Sequence, residues 1–206
     1  MIEEVIIIGT GKVAYHFAKE ISNNPKLKLI QILGRSKKIN SNFNEFSNIY
    51  SSDFSEIKKS KFCIIAVSDN SVKSVSKNIK KFEGVVLHTS GSINMSILNS
   101  HLKFGVIYPL QTFSFERNID FNKIPLLVEA SNKKTLSELI YFSNKLSKKT
   151  VIMNSDKRLI CHLSAVFANN FTNHLIYTSE ELLNKFNIDK DLIHPLFEET
   201  ILKIKS

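Results

Sequence analysis

Runs of consecutive apolar residues alternate with amphipathic stretches as far as residue 153 of the chain. Within the runs polar and apolar positions do not alternate, which is typical of strands buried on both faces of a sheet. They occupy residues 5–8, 27–33, 62–67, 85–88, 105–108, 125–129 and 150–152. Helical spacing is found over residues 12–22, 71–81 and 133–147. The pattern therefore predicts an α/β fold with a doubly wound, mostly parallel sheet.

The pattern changes after residue 153, because no strand-like run follows. Residues 156–186 predict one long helix with Ser155 as its N-cap, and residues 192–204 predict a second helix. We therefore expect an α/β domain over residues 1–153, followed by an all-helical C-terminal segment over residues 154–206.

Composition and charge argue against several classes of protein. The formal net charge is +9, but the lysines are scattered and only three of the 28 basic residues are arginines. Proteins that bind nucleic acid more often gather Lys and Arg on one face, so we expect no nucleic-acid partner. No apolar run approaches the ~18 residues of a membrane span, and Cys63 and Cys161 form no metal-binding pair. We expect a cytoplasmic protein with neither a metal site nor a membrane partner.

A glycine-rich turn joins the first predicted strand to the first predicted helix. It reads G-x-G-x-x-A, a variant of the dinucleotide fingerprint, and comprises Gly9, Thr10, Gly11, Lys12, Val13 and Ala14. The first glycine permits a tight turn, the second lets the backbone approach a pyrophosphate, and the alanine lets the helix pack closely on the sheet. The helix N-terminus then offers free N–H groups to the anion. The alternative is a glycine-rich turn in an unrelated α/β protein.

The residues after the second predicted strand indicate which dinucleotide binds. A site selective for NAD has an Asp or Glu there, which accepts a hydrogen bond from the ribose 2′-hydroxyl. This chain instead has Gly34, Arg35 and Ser36, followed by two lysines. A guanidinium pairs with phosphate through two hydrogen bonds, so Arg35 and Ser36 predict NADP rather than NAD. The alternative is a solvated basic turn.

Polar residues also follow three later strands, at the edge where a doubly wound sheet binds its ligand. The predicted cofactor contacts there are Val67, Ser68 and Asp69, and the predicted substrate contacts are His88, Ser90 and Gln111. A serine hydrolase is not expected, because the sequence around Ser90 lacks the G-x-S-x-G turn. The alternative for all these residues is ordinary turn chemistry.

The long predicted helix carries a polar stripe among apolar residues. Its members recur at helical spacing and are Arg158, His162, Ala165, Asn169 and Asn173, with His174 beside them. Asparagine is a poor residue for a helix interior, so the stripe suggests a polar cleft. In that cleft we expect Arg158 to bind substrate and His162, Asn169, Asn173 and His174 to act in catalysis. Histidine suits a general acid because its pKa lies near neutrality. The alternative is a helix cap or a polar contact between helices.

Five stretches of the sequence resemble one bacterial family, and together they cover nearly the whole chain: 9–14, 64–69, 88–92, 105–113 and 162–174. The family has a Rossmann-like N-terminal domain and a C-terminal helical domain of unknown function. Its members resemble deazaflavin-dependent NADP oxidoreductases and pyrroline-carboxylate reductases, within the superfamily of the 6-phosphogluconate dehydrogenase C-terminal domain. The resemblance implies a dinucleotide-binding domain over 1–153 and a helical domain that completes the active site and forms a homodimer.

The resemblance also implies a function, with one departure. In hydroxyacid dehydrogenases of this superfamily a helix lysine carries proton transfer, but this chain has no lysine between Arg158 and His174, which leaves His162 or His174 as the substitute. The family usually continues beyond residues 195–200, whereas this sequence ends at Ser206. We expect an NADP-dependent oxidoreductase acting on a small carbonyl or imine substrate in the cleft between the domains. The alternative is a non-catalytic dinucleotide-binding sensor or scaffold module.

Overall fold

The computed structural model of the chain describes residues 2–79 and 81–205. Residue 80, which belongs to the predicted helix 71–81, lies outside the described residues, as do the predicted domain limits 1 and 206. No helix in the described part of the chain is long and apolar enough to span a membrane.

An eight-stranded sheet with the order β3-β2-β1-β4-β5-β6-β7-β8 forms the centre of the fold. Its strands are β1 (Glu3–Ile8), β2 (Leu27–Leu33), β3 (Tyr50–Ser51), β4 (Phe62–Ile65), β5 (Val85–His88), β6 (Phe104–Pro109), β7 (Leu126–Ala130) and β8 (Thr150–Ile152). All neighbours pair in parallel except β6 and β7, which are antiparallel. The predicted doubly wound, mostly parallel sheet is confirmed. The two-residue strand β3 was not predicted, because it has no apolar run.

The two faces of the sheet are covered unequally. Helices α1 (Lys12–Asn23) and α3 (Lys133–Leu146) pack on one face, where Phe17, Ile21 and Phe142 are fully buried against alternate strand residues. Helix α2 (Asp69–Asn78) packs on the other face, helped by short 3₁₀ turns. Helix α2 begins and ends earlier than the predicted 71–81, since Ser68 is its N-cap and Ile79 is its C-cap.

The predicted long helix is interrupted. Helix α4 (Ser155–Ala165) is followed by a π-helical turn (Val166–Phe171) and by helix α5 (Thr172–Lys185). Ser155 is not the N-cap, since the side-chain oxygen of Asn154 accepts a hydrogen bond from the Lys157 N–H at 3.0 Å. A 3₁₀ turn (Lys190–Ile193) then leads into helix α6 (His194–Lys205).

The chain forms two compact units, which divide between His162 and Leu163. We call them the sheet unit and the helical unit. The predicted boundary at 153/154 marks the end of the strands, whereas the first turns of α4 belong to the sheet unit. They do so because Ser155 and Arg158 are buried against Glu129 of β7.

Candidate functional site

A cavity of about 760 Å³ opens at the carboxyl ends of the central strands of the sheet unit. That edge is where doubly wound sheets bind their ligands. Eleven of the predicted site residues line it, namely Gly9, Thr10, Gly11, Lys12, Val13, Arg35, Val67, Ser68, Asp69, Ser90 and His162. Phe54, Asn78 and Tyr108 also line this cavity, although none of them was assigned to a site from sequence.

The turn after β1 requires glycine at its first position. Gly9 has φ +131°, and a Cβ there would lie 2.1 Å from the carbonyl oxygen of Ala66. The Gly9 N–H donates to the carbonyl of Leu33 at 2.8 Å, which joins the turn to the end of β2. Because neither the backbone angle nor the space admits a side chain, the turn keeps this shape only with glycine.

The second glycine of the turn leaves open space at a helix N-terminus. Gly11 is the N-cap of α1, has no side-chain cap, and no atom lies within 4 Å of the position a Cβ would take. The first turn of α1 holds no acidic residue, and its first backbone bond runs from Tyr15 N–H to Gly11 carbonyl at 3.0 Å. Ala14 is fully buried against the sheet, as the motif predicts. The free N–H groups and helix dipole therefore form a site for an anion.

The basic loop after β2 borders the same cavity. Arg35 is exposed and lines the cavity, whereas Ser36 lies next to it on the exposed loop. The hydroxyl of Tyr50 donates to the Ser36 carbonyl, and the side-chain amide of Asn40 donates to the Thr10 carbonyl at 3.5 Å. These bonds tie the loop to the glycine-rich turn. Arg35 therefore borders the same cavity as the anion site, and its exposed side chain can pair with a second anion.

Serine hydroxyls and one carboxylate contribute another part of the cavity lining and the loop behind it. The Ser92 hydroxyl donates to Asp69, and the Ser90 hydroxyl accepts from the backbone N–H groups of Ser92 (3.2 Å) and Ile93 (3.1 Å). The hydroxyls of Ser68 and Ser71 lie 3.0 Å apart. The loop 90–92 is therefore pinned to the start of α2, on which Asp69 lies.

Tyr108 and His162 form a pair beside this loop. The Tyr108 hydroxyl and His162 Nδ1 are 2.9 Å apart, and both side chains line the cavity. A Cβ at Gly91 would lie 2.7 Å from Cγ of His162 and 2.8 Å from Cζ of Tyr108, so only glycine lets the two rings approach the loop. Burial raises the pKa of Tyr108 to about 12, which keeps its phenol protonated.

His88 is a buried residue that supports the backbone at Ser90, one of the residues that line the cavity. It is fully buried, and its Nδ1 accepts a hydrogen bond from the Ser90 N–H at 3.2 Å. Burial, reinforced by the charge of Arg158, lowers the pKa of His88 to about 3, so the ring is neutral. Since it has no exposed surface, we interpret His88 as a positioning residue rather than as the predicted substrate contact.

Arg158 is an anchor for α4 rather than a lining residue. It is fully buried, and its guanidinium donates to Glu129 (2.6 Å), the Ile93 carbonyl (2.6 Å) and the Ser155 hydroxyl (3.2 Å). The predicted substrate contact is therefore corrected, because these partners occupy the guanidinium inside the protein. Since His162 follows four residues later on the same helix face, Arg158 helps to fix where that imidazole lies.

The remaining predicted residues do not line this cavity. Gln111 is exposed, and its side-chain oxygen accepts from the Thr112 N–H at 2.8 Å, as in a turn. Asn169 and Asn173 belong to the helical unit, where Asn173 donates to Asn169 at 3.4 Å. His174 is exposed on α5. The catalytic assignment of Asn169, Asn173 and His174 stays a prediction. The residues that the structure describes contain no group of three or more His, Cys, Asp or Glu that could hold a metal.

Two comparisons relate the chain to other proteins. The family model described as a domain of unknown function, DUF2520, matches residues 124–206. The fold matches that of a candidate NADP oxidoreductase from Bacteroides fragilis, at 30% identity and a TM-score of 0.90, over 100% of this chain and 81% of that one. No curated protein matches the sequence.

More distant structures share the fold. A protein from Thermotoga maritima is 23% identical with a TM-score of 0.72, over 98% of this chain and 78% of that one. The 1-pyrroline-5-carboxylate reductase of Streptococcus pyogenes is 15% identical with a TM-score of 0.72, again over 98% and 78%. The pyrroline carboxylate reductase of Plasmodium falciparum, solved with NADP bound, is 16% identical with a TM-score of 0.65, over 98% and 76%.

Proposed function

Because the chain belongs to the family of Rossmann-like NADP oxidoreductase-type proteins that includes the Bacteroides fragilis protein, we propose that it is an NADP-dependent oxidoreductase. The observation that carries the proposal is the meeting, in one cavity, of an uncapped helix N-terminus, an open Gly11 and an exposed Arg35. Two anion sites lining one cavity match the pyrophosphate and the 2′-phosphate of NADP.

The cavity residues divide between the two phosphate groups. The backbone of Gly11, Lys12 and Val13 would hold the pyrophosphate, and Arg35 with Ser36 would hold the 2′-phosphate. The residues present fit the group, since no carboxylate stands after β2 to repel that phosphate. NADP supplies hydride chemistry when bound. The Bacteroides fragilis protein is described as an NADP oxidoreductase, and the Plasmodium falciparum reductase was solved with NADP bound, which supports this cofactor.

The substrate is a small carbonyl or imine compound. Reduction leaves negative charge on oxygen, or a basic nitrogen, which needs a proton from the protein. His162 with Tyr108 would hold that proton, and two observations support this role: the imidazole lines the cavity and bonds to a phenol that stays protonated. We also propose that Asn169, Asn173 and His174 take part in catalysis.

The cofactor assignment is tested by replacing Arg35. We expect Arg35→Ala to weaken NADPH binding about 10- to 100-fold, because a charge-assisted phosphate contact is worth ~1.5–3 kcal/mol, and to change NADH binding less than about threefold. Calorimetric titration of both coenzymes measures this. The matched control is Arg117→Ala, which removes another exposed arginine and leaves both affinities unchanged. Equal losses for NADPH and NADH would remove the 2′-phosphate assignment.

The catalytic assignment is tested separately with the wild-type chain and His162→Ala. NADPH oxidation is followed with a panel of small keto acids and cyclic imines. We expect turnover on at least one of them, a large loss in His162→Ala, and unchanged NADPH affinity in that variant. Asn173→Ala should likewise lower turnover without changing NADPH affinity.

The second candidate is a dinucleotide-binding sensor or scaffold module. It is favoured by the absence of lysine from the stretch between Arg158 and His174, where related dehydrogenases carry proton transfer. The two candidates separate cleanly in one experiment. NADPH binding without oxidation on every substrate of the panel would support the module and contradict the enzyme.

We also propose that two copies of the chain pair through the helical unit. Apolar side chains recur every fourth position along it and remain about half exposed, namely Leu163, Phe167, Phe171 and Leu175. Exposed apolar stripes of this kind mark interaction surfaces. Sedimentation velocity should show a dimer that Phe171→Asp converts to monomer, whereas a monomeric wild-type chain would contradict the proposal.

A further inference from the structure

A second cavity lies at the amino ends of strands β4 and β5, where Lys61 and Gly84 precede the strands. Its volume is about 840 Å³, compared with about 760 Å³ for the cavity at the carboxyl ends of the strands, which we call the cofactor cavity. We call it the lysine cavity. We propose that the lysine cavity binds a small organic anion with an apolar body, such as an alkyl or aryl carboxylate or phosphate ester.

The cavity exists because one face of the sheet is incompletely covered. The connection between β3 and β4 holds only a three-residue 3₁₀ turn, Phe54–Glu56, where a doubly wound sheet often has a crossover helix. Helix α2 is the one α-helix whose residues join the buried cluster on this face, within the described residues. A gap is therefore left between the segment 54–61 and the end of α2.

The floor of the lysine cavity is apolar. Ile57, Ile79 and Phe82 line it and pack against the buried residues of that face. The Phe82 ring is held close to the backbone of Gly84, where a Cβ would lie 2.7 Å from a ring carbon. The floor is therefore a fixed surface of aliphatic and aromatic carbon, suited to the apolar body of a ligand.

The rim of the lysine cavity is strongly basic. Its six lysines are Lys58, Lys59, Lys61, Lys77, Lys81 and Lys103, and its carboxylates are Glu83 and Glu138. Lys61 pairs with Glu3, and Lys59 lies 4.0 Å from Glu83 with both side chains exposed. Lys77, Lys81 and Lys103 make no ion pair within the described residues. Unpaired like charges around an apolar floor attract an anion, because the wall focuses their field.

Size and chemistry together give the class of ligand. A volume of about 840 Å³ falls in the range of ~300–1,000 Å³ that holds small organic molecules. An inorganic anion would not contact the apolar floor, and a neutral hydrocarbon would not pair with the lysines. A compound with an anionic group and an apolar body can contact both the lysines and the floor.

The lysine cavity adjoins the cofactor cavity but differs from it. Phe54 and Asn78 line both, whereas the glycine-rich turn and Arg35 line only the cofactor cavity among the residues described. A dinucleotide and the organic anion should therefore bind at the same time. The proposal does not depend on the proposed function, since the lysine cavity contains none of the residues assigned to NADP.

Calorimetric titration of the full chain with octanoate and with octyl phosphate tests the proposal, in the presence and absence of saturating NADPH. We expect both anions to bind with one-to-one stoichiometry, with or without NADPH. The double variant Lys77→Glu/Lys81→Glu should weaken binding at least tenfold. The matched control Lys148→Glu/Lys149→Glu, on the loop before β8, should leave it unchanged. Phe82→Ala, shown by circular dichroism to be folded, should also weaken binding at least fivefold.

Four results would each overturn the proposal. They are the absence of binding by either anion, displacement of the anion by NADPH, equal binding of neutral octanol, and inorganic phosphate binding as tightly as octyl phosphate with no effect of Phe82→Ala. Displacement by NADPH would still leave the proposed function standing. Conversely, binding of octanoate to a chain that binds no NADPH would support the lysine cavity and contradict the proposed function.

Discussion

The sheet unit and the helical unit differ in whether they have a core. In the sheet unit, strand and helix residues such as Ile7, Phe17 and Phe142 are fully buried. In the helical unit, none of the described side chains from residue 163 to residue 204 is buried. Every buried apolar side chain contributes roughly 1.5–3 kcal/mol, so the first unit can fix the positions of its polar groups and the second cannot do so alone.

Because of this difference, the surroundings of a functional residue explain its conformation in the sheet unit but not in the helical unit. Gly9, Arg158 and His88 have neighbours that explain their conformation, so a substitution has a defined structural consequence. Asn169 and Asn173 bond mainly to each other and to neighbours on the same helix. Within the helical unit itself, the polar stripe therefore has no buried environment that fixes its side chains.

The largest expected effect concerns the buried ion pair of the sheet unit. Arg158→Met should lower the free energy of unfolding by about 3–5 kcal/mol, because it leaves Glu129 without its cation. Chemical denaturation measures this, and Arg158→Met/Glu129→Leu should recover part of the loss. The matched control in the helical unit is Lys203→Met, which removes an exposed pair with Glu199 and should change stability by at most about 0.5 kcal/mol. Similar losses of unfolding free energy for Arg158→Met and Lys203→Met would contradict the difference between the two units.

The next effect separates the two glycines of the anion site. Gly9→Ala should destabilise the chain by about 3 kcal/mol, since it places a Cβ against the Ala66 carbonyl at a positive φ. Gly11→Ala should leave the melting temperature nearly unchanged, because its Cβ enters open space, yet it should weaken NADPH binding. Thermal denaturation and NADPH titration of both variants test this. A stable Gly9→Ala chain would contradict the account of the turn.

A smaller effect concerns pH. The pKa of His88 is lowered to about 3 in the folded chain, so the unfolded chain binds a proton first as the pH falls. Stability contributed by the neutral imidazole is present above pH ~6.5 and is lost as the pH drops, by about 2 kcal/mol between pH 7 and pH 5. Denaturation at several pH values should show this fall, and His88→Gln should reduce it. A smaller fall should remain, because burial also lowers the pKa of His101. The exposed His174→Gln should leave the fall intact; a flat profile in the wild-type chain would rule out a neutral buried His88.

The smallest effect tests the missing core of the helical unit directly. Leu175→Ala should change the stability of the dilute, monomeric chain by no more than about 0.5 kcal/mol, because the side chain is 65% exposed. The same change at Leu139, which is fully buried on α3, should cost about 2–5 kcal/mol. Chemical denaturation compares the two. A large effect at Leu175 in the monomer would show that the helical unit has a core after all.

Much of the sheet could be predicted from sequence, because strands buried on both faces read as unbroken apolar runs. The direction of a strand could not be predicted, because an apolar run has the same pattern whichever way it runs. This holds for residues 105–108 and 125–129. The antiparallel pairing of β6 and β7 was therefore beyond the sequence pattern. Strand β3 was missed because two residues carry no periodicity.

Of the candidate site, the anion-binding part could be predicted, because the glycines and the basic loop are close in sequence. Tyr108 and Gly91 were missed as a partner surface for His162, since the three positions come together only in the folded sheet. A tyrosine at the end of an apolar strand, beside the predicted substrate contacts, was the available signal. Arg158 and His88 were assigned to the ligand because nothing in the local sequence revealed that distant Glu129 and the backbone of Ser90 engage them.

The antiparallel pairing of β6 and β7 relates the position of Glu129, which binds Arg158, to that of Tyr108, which contacts His162. In the sheet, Glu129 stands level with Val106, two residues before Tyr108 on β6, a climb of roughly 6–7 Å towards the carboxyl edge. On α4 the four-residue step from Arg158 to His162 climbs about 6 Å. The two steps are of similar length, and each end is fixed by a contact: the guanidinium of Arg158 bonds to Glu129, and Nδ1 of His162 lies 2.9 Å from the Tyr108 hydroxyl. One residue inserted between those two helix positions would turn the imidazole about a quarter of a circle away.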